Sequence, residues 1–248
     1  MSLVRAELLK LLGLPTARVG LLLAGVIAPV LVLVNAAPVR EAIADGSYGF
    51  TDDLAYNSLQ IVMLGALILG VVAVSSEFTP AGEDSPGGRQ LTTTLLAAPR
   101  RGRLVAAKAI VLSVVVIVHG ALTMALTVWL TEIEHGGTYP AAEPARLAGM
   151  LLDWVLLGLL AFALTLIFRN GIVTLTLLIV NAGVISVSWL VMKVTPLGAY
   201  LPDIVGKHMY LEDFGDVEIA PLTAGLVMTG WVAALLVLAV RLFQRREA

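Results

Sequence analysis

Ala109 to Thr131 reads AIVLSVVVIVHGALTMALTVWLT, 23 residues without a charge, bounded by Lys108 and Glu132. At 1.5 Å per residue this run makes a helix of about 35 Å, long enough to cross the ~30 Å hydrocarbon core of a bilayer. The spacing recurs. Arg18 to Arg40 encloses 21 uncharged residues, Asp53 to Glu77 and Arg169 to Lys193 enclose 23 each, and Glu218 to Arg241 encloses 22. Leu147 to Phe168 carries a single charge, Asp153, near its start. Six spans are therefore expected, at about 19–35, 54–76, 106–131, 147–168, 170–192 and 219–240. Only Arg169 and Asn170 separate the fourth from the fifth. One continuous helix over both would reach about 69 Å, so a tight helical hairpin is expected there.

Composition agrees. Hydrophobic residues make up 58% of the 248 and charged residues 14%, with a mean hydropathy of +0.93. Soluble domains run nearer ~45–50% and ~25%, so an ordinary soluble enzyme and a disordered chain are both excluded. A net charge of −2 and 6% aromatics leave nothing for a nucleic-acid partner. Without cysteine there is no disulfide framework or thiolate chemistry. The 248 residues read as one transmembrane unit. A cleaved signal peptide ending near Asn35-Ala36-Ala37 is disfavoured by the long segment before the first span and the five spans after it.

Charge asymmetry orients the map. With the N-terminus cytoplasmic, the inner segments carry Arg5, Lys10, Arg18, Arg89, Arg100, Arg101, Arg103, Lys108, Arg169, Arg241, Arg245 and Arg246, which is 12 of 16 basic residues. The outer segments carry only Arg40, Arg146, Lys193 and Lys207. The bias puts both termini on the cytoplasmic side of the cell membrane.

Three segments are not spans. In residues 1–18, Val4, Leu8, Leu11 and Leu12 form an apolar stripe, with Glu7 and Lys10 on the other side, as in a helix lying in the membrane interface. The second loop, Glu77 to Lys108, starts breaker-rich, continues as a potential short helix from Arg89 to Ala98, and ends in the basic run Arg100-Arg101-Gly102-Arg103. The last outer loop, Lys193 to Glu218, is too apolar for a solvated loop and reads as short helices dipping into the outer leaflet.

Three stretches carry a family likeness. They are Arg5-Ala6-Glu7-Leu8-Leu9-Lys10-Leu11; Ser76-Glu77-Phe78 followed by Leu91-Thr92-Thr93-Thr94-Leu95-Leu96-Ala97-Ala98-Pro99-Arg100-Arg101-Gly102-Arg103 and Ala106-Ala107-Lys108; and Pro196-Leu197. With the six-span layout, the chain resembles the ABC-2-type permeases, the six-helix membrane subunits of ABC exporters. Pro80 to Gly88 departs from that pattern. The resemblance implies an all-α integral membrane fold with an N-terminal interfacial helix (Arg5, Glu7, Lys10), a cytoplasmic coupling helix between spans 2 and 3, and short outer-leaflet helices between spans 5 and 6. Contact with a separate ABC ATPase subunit would involve Glu77, Arg89, Leu91, Thr92, Leu95, Arg100 and Arg101. That partner would hold ATP and Mg, and a second copy or a sister permease would complete the pathway among membrane lipids.

The chain's own chemistry is sparse. No P-loop, His-Glu-x-x-His or Gly-x-Ser-x-Gly motif occurs, and His119, His135 and His208 are too scattered for zinc. No catalytic residue, metal site or bound cofactor is expected. Polar residues within spans are costly in lipid and mark pathways or packing bonds, so His119, Asp153 and Asn181 are the pathway candidates. Arg146 reaches Asp153 awkwardly, which favours a cavity around that carboxylate. Ala24/Ala28, Ala66/Gly70 and Ala121/Ala125 are small pairs suited to close helix contact, and Pro29 is expected to kink the first span. The expected function is an exporter permease driven by the partner's ATP hydrolysis, with a hydrophobic or amphipathic cargo. The alternatives are a membrane enzyme acting on lipid through Glu212, Asp213, Asp216 and Glu218, and a non-transporting immunity or sensor protein.

Overall fold

The computed structural model describes residues 2–49, 53–78, 101–137, 140–183, 186–212, 214–215 and 217–245. Among these the chain is helical, without strands. Five helices are long and apolar enough to cross a membrane: α2 (Pro15–Ala44), α3 (Leu54–Ser75), α4 (Arg101–His135), α5 (Pro144–Phe168) and α9 (Pro221–Arg245). α1 (Leu3–Gly13), α6 (Gly171–Gly183), α7 (Val187–Met192) and α8 (Pro202–Val205) are shorter. The molecule is an all-helical membrane protein.

The helix ends follow from local chemistry. Ser2 caps α1 by accepting from the Arg5 amide, and Pro15 and Pro144 open α2 and α5, where a missing N–H costs nothing. Pro29 and Pro38 lie inside α2 without ending it. Arg169 closes α5 in the left-handed region at φ 54°, and Asn170 Oδ1 then accepts from the amides of Ile172 and Val173 to start α6. That pair of caps makes the expected hairpin turn.

The fifth expected span is not one helix. α6 stops at Gly183 and α7 starts at Val187, so the stretch 170–192 is two helices around a break. Asp203 holds the break. Its carboxylate accepts from Asn181 Nδ2 at 2.8 Å, from Ser186 Oγ at 3.0 Å and from Ser188 Oγ, while Asn181 Oδ1 accepts from the Val187 amide at 2.9 Å. In a bilayer, backbone freed by a helix break must be re-satisfied within the protein; Asn181 Oδ1 takes the Val187 amide and Ser186 Oγ takes the Trp189 amide.

α3 and α5 form the buried centre, and α2, α4 and α9 surround them. A Cβ on Gly70 would collide with the Gly158 carbonyl and stand 3.0 Å from Ala161 Cβ, so the two backbones approach as only glycine permits. Ala66 belongs to the same contact, and Ala24 meets Gly65 across α2 and α3, so both those small pairs are in contacts. Ala121 and Ala125 instead lie on the exposed face of α4. Exposed Leu22, Val26, Leu33, Ile117, Leu122, Leu126, Leu222 and Leu226 stud the outer helices. A water-soluble protein rarely shows so much contiguous apolar surface, whereas a bilayer solvates it without penalty.

Candidate functional site

One end of the bundle gathers α1, the end of α3, the start of α4 and the end of α9. Here lies a buried cluster of four charges. Lys108 Nζ is 2.6 Å from Glu7 Oε2 and 2.7 Å from Glu77 Oε1, and Lys10 Nζ is 2.5 Å from the same Glu77 oxygen. The Glu7, Glu77 and Lys108 side chains are all nearly buried. Burial pushes the Glu77 carboxyl up, but the ammoniums of Lys108 and Lys10 outweigh it and hold the group below its ordinary range. Opposite signs alternate around the cluster, so each buried charge meets a partner.

Glu7, Lys10 and Leu11 form the docked side of α1, and Leu8 packs against the core beside them. Val4, Leu9 and Leu12 are exposed. When the surroundings include lipid headgroups, the polar side of a helix can be the one that packs, provided its charges find partners.

The same end anchors Arg101, whose guanidinium donates to the Phe243 carbonyl at 3.0 Å and lies 5.6 Å from that ring's centroid. Arg169 lies over Phe78 and Phe243. Arg5, the remaining interfacial-helix candidate, is exposed on α1. Arg89, Leu91, Thr92, Leu95 and Arg100 fall outside the described residues. The two ends of their segment, Glu77–Phe78 and Arg101, are therefore both fastened to the bundle.

The three pathway candidates part company. His119 sits at the α2–α4 contact, its Nε2 3.0 Å from where a Gly25 Cβ would stand. Asn181 is engaged by Asp203 and Val187 as above. Asp153 borders a cleft of about 1070 Å³ among α3, α5, α6, α7, α8 and α9. Its walls are mostly aliphatic, and Asn181, Ser186, Ser188, Asp203 and Lys207 provide its polar part. Asp153 Oδ1 rests against Gly206, where any Cβ would collide with it.

Arg146 is not the partner of Asp153. Its guanidinium pairs with Asp53 and with Glu212 at 3.1 Å, donates to the Tyr210 carbonyl at 2.8 Å, and stacks 4.1 Å from the Tyr56 centroid. It ties the 210–212 segment to α3 and α5. Glu212 is thereby engaged, Glu218 is exposed, and Asp213 and Asp216 lie outside the described residues. Among the described residues no cluster of acids and histidines could hold a metal.

The residues from 196 to 209 form a 3₁₀ turn (Pro196–Tyr200), α8 and a second 3₁₀ turn (Gly206–Met209). They reach into the bundle. Trp231 Nε1 donates to the Tyr200 carbonyl at 2.9 Å, and Trp231 lies ten residues, about 15 Å, along α9 from Pro221. Gly206 meets Asp153, which is a comparable distance into α5.

Sequence reasoning missed Lys108, Asp203 and Lys207 as site residues. A charge at the edge of an apolar run reads as a topology marker, and its partners lie far away along the chain. The chain matches no family model, and no curated protein is similar to it.

Proposed function

We propose that this chain is the membrane-spanning permease subunit of an ATP-driven exporter, with six crossings and both termini in the cytoplasm of the cell. The fifth crossing is the broken α6–α7 pair, and the turns between residues 196 and 209 fill the outer leaflet. A separate ABC ATPase subunit, carrying ATP and Mg, docks on the 77–108 loop, and a second copy or a sister permease completes the pathway.

The observation that carries this reading is the Glu7–Lys108–Glu77–Lys10 cluster at the base of that loop. Movement of a docked ATPase would displace residues 79–100. Glu77 would pass the displacement to α1 and α4 through its two ammoniums, and Arg101 would pass it to α9 through Phe243. Separating a buried ion pair costs about 3–5 kcal/mol, so the linkage moves as a unit rather than stretching. The cleft beside Asp153 offers a route with aliphatic walls for a hydrophobic or amphipathic cargo.

The test is capture of the tagged chain from native membranes, with co-purifying proteins identified by mass spectrometry. An ATPase with a P-loop should accompany the intact chain and be lost on deletion of Leu91 to Leu96, while membrane insertion persists. Absence of any ATPase, or capture unchanged by the deletion, refutes the reading.

A further inference from the structure

We infer that the cleft binds an amphipathic organic cation, with a single protonated amine held at Asp153 and an apolar body along the cleft walls. This rests on the permease reading above, because it takes the cleft as the cargo site.

Among the described residues three charged side chains line the cleft: Asp153, Asp203 and Lys207. Asp203 is saturated, accepting from Asn181, Ser186 and Ser188. Lys207 shares the lining with both carboxylates, but its ammonium closes an ion pair with neither and lies 5.0 Å from the Phe214 ring centroid. Asp153 is 2% exposed and, among the described residues, has no hydrogen-bond or ion-pair partner. Among the described residues, two acids and one base leave the lining one negative charge in excess. A buried carboxylate without a partner is costly, and an ionised carboxylate only accepts hydrogen bonds. An alkylammonium supplies both the missing charge and up to three N–H donors. Trp189 and Trp231 add indole surface to the lining, which suits both a cation and an alkyl chain. An anionic cargo would add to the excess, and a neutral one would leave Asp153 as it is.

The tryptophans make the test direct. The full chain, carrying Trp129→Phe to remove the most exposed indole, is placed in phosphatidylcholine nanodiscs without any ATPase. It is titrated with 11-bromoundecylammonium, whose bromine quenches nearby indoles, and in parallel with 11-bromoundecanol and 11-bromoundecanoate. The ammonium should quench saturably. Asp153→Asn should weaken its apparent affinity at least tenfold, and Lys207→Gln, which removes the internal competitor, should tighten it severalfold. If the alcohol or the carboxylate matches the ammonium, or if Asp153→Asn changes nothing, the cleft takes acyl chains by apolar contact alone and the inference falls. The assay contains no partner subunit. Its failure therefore leaves the ATPase-capture result standing, and failure to capture an ATPase leaves the binding result standing.

Discussion

Replacing Lys108 by methionine removes one ammonium that serves two buried carboxylates, at 2.6 and 2.7 Å. Glu77 retains Lys10, but Glu7 loses its only cation in the cluster. With both side chains about 7% exposed, water replaces little of that interaction, and stripping one member from such a pair costs about 3–5 kcal/mol. Lys10→Met is the internal control. Lys10 is 21% exposed and Glu77 keeps Lys108, so its loss should cost about 1 kcal/mol. For a chain of this size each kcal/mol moves the melting point by roughly 2–4 °C, giving a loss of about 10 °C for Lys108→Met and only a few degrees for Lys10→Met. The double variant Glu7→Gln/Lys108→Met leaves one neutral Lys10–Glu77 pair and should recover much of the loss. Thermal melts of detergent-purified protein, followed by fluorescence size-exclusion chromatography, measure all three. The reasoning is refuted if Lys108→Met melts no lower than Lys10→Met, or if the double variant melts no higher than Lys108→Met alone.

The other predictions concern separate parts of the molecule. Glu77 titrates below its ordinary value of 4.5, so its stabilising contribution is present above that pH and disappears as pH falls through the lowered value; Glu77→Gln should flatten the acid limb of a melting-point profile. Gly70→Leu should destabilise by about 1–3 kcal/mol or more by forcing α3 off the Gly158 carbonyl, while Ala121→Leu on the exposed face of α4 should stay within about 0.5 kcal/mol; the same melts compare them. Asp203→Ala removes the acceptor shared by Asn181, Ser186 and Ser188, and hydrogen exchange should rise around residues 181–190 while α5 stays protected.

Sequence reading located the five long helices because charges are excluded from hydrocarbon. It underestimated the lengths of all but α3 because a charge ends an apolar run without ending a helix. α2 was expected to stop at residue 35 and continues to Ala44 through Arg40 and Glu41, both good helix formers. The break in 170–192 was not legible. Its hydropathy is that of a continuous span, and the acceptor that stabilises the break, Asp203, lies 22 residues beyond Asn181. The ion pairs of α1 were not legible for a related reason: the partners of Glu7 and Lys10, Lys108 and Glu77, lie far along the chain. Asp153 was recognisable from its isolation in an apolar run, although Gly206 and Lys207, which frame it, were not.

The berth of α1 has a consequence for biogenesis. Lys108 is 101 residues downstream of Glu7, and Glu77 is 67 downstream of Lys10. α1 is synthesised before its docking site, which is complete only after α2, α3 and the start of α4 have been made. At 5–20 residues per second that interval is on the order of 5–20 s. During it, Glu7 and Lys10 must stay hydrated while Val4, Leu9 and Leu12 rest against the membrane surface. The newly made α1 is thus a waiting part whose seating reports that α2, α3 and the start of α4 have been inserted in the correct register.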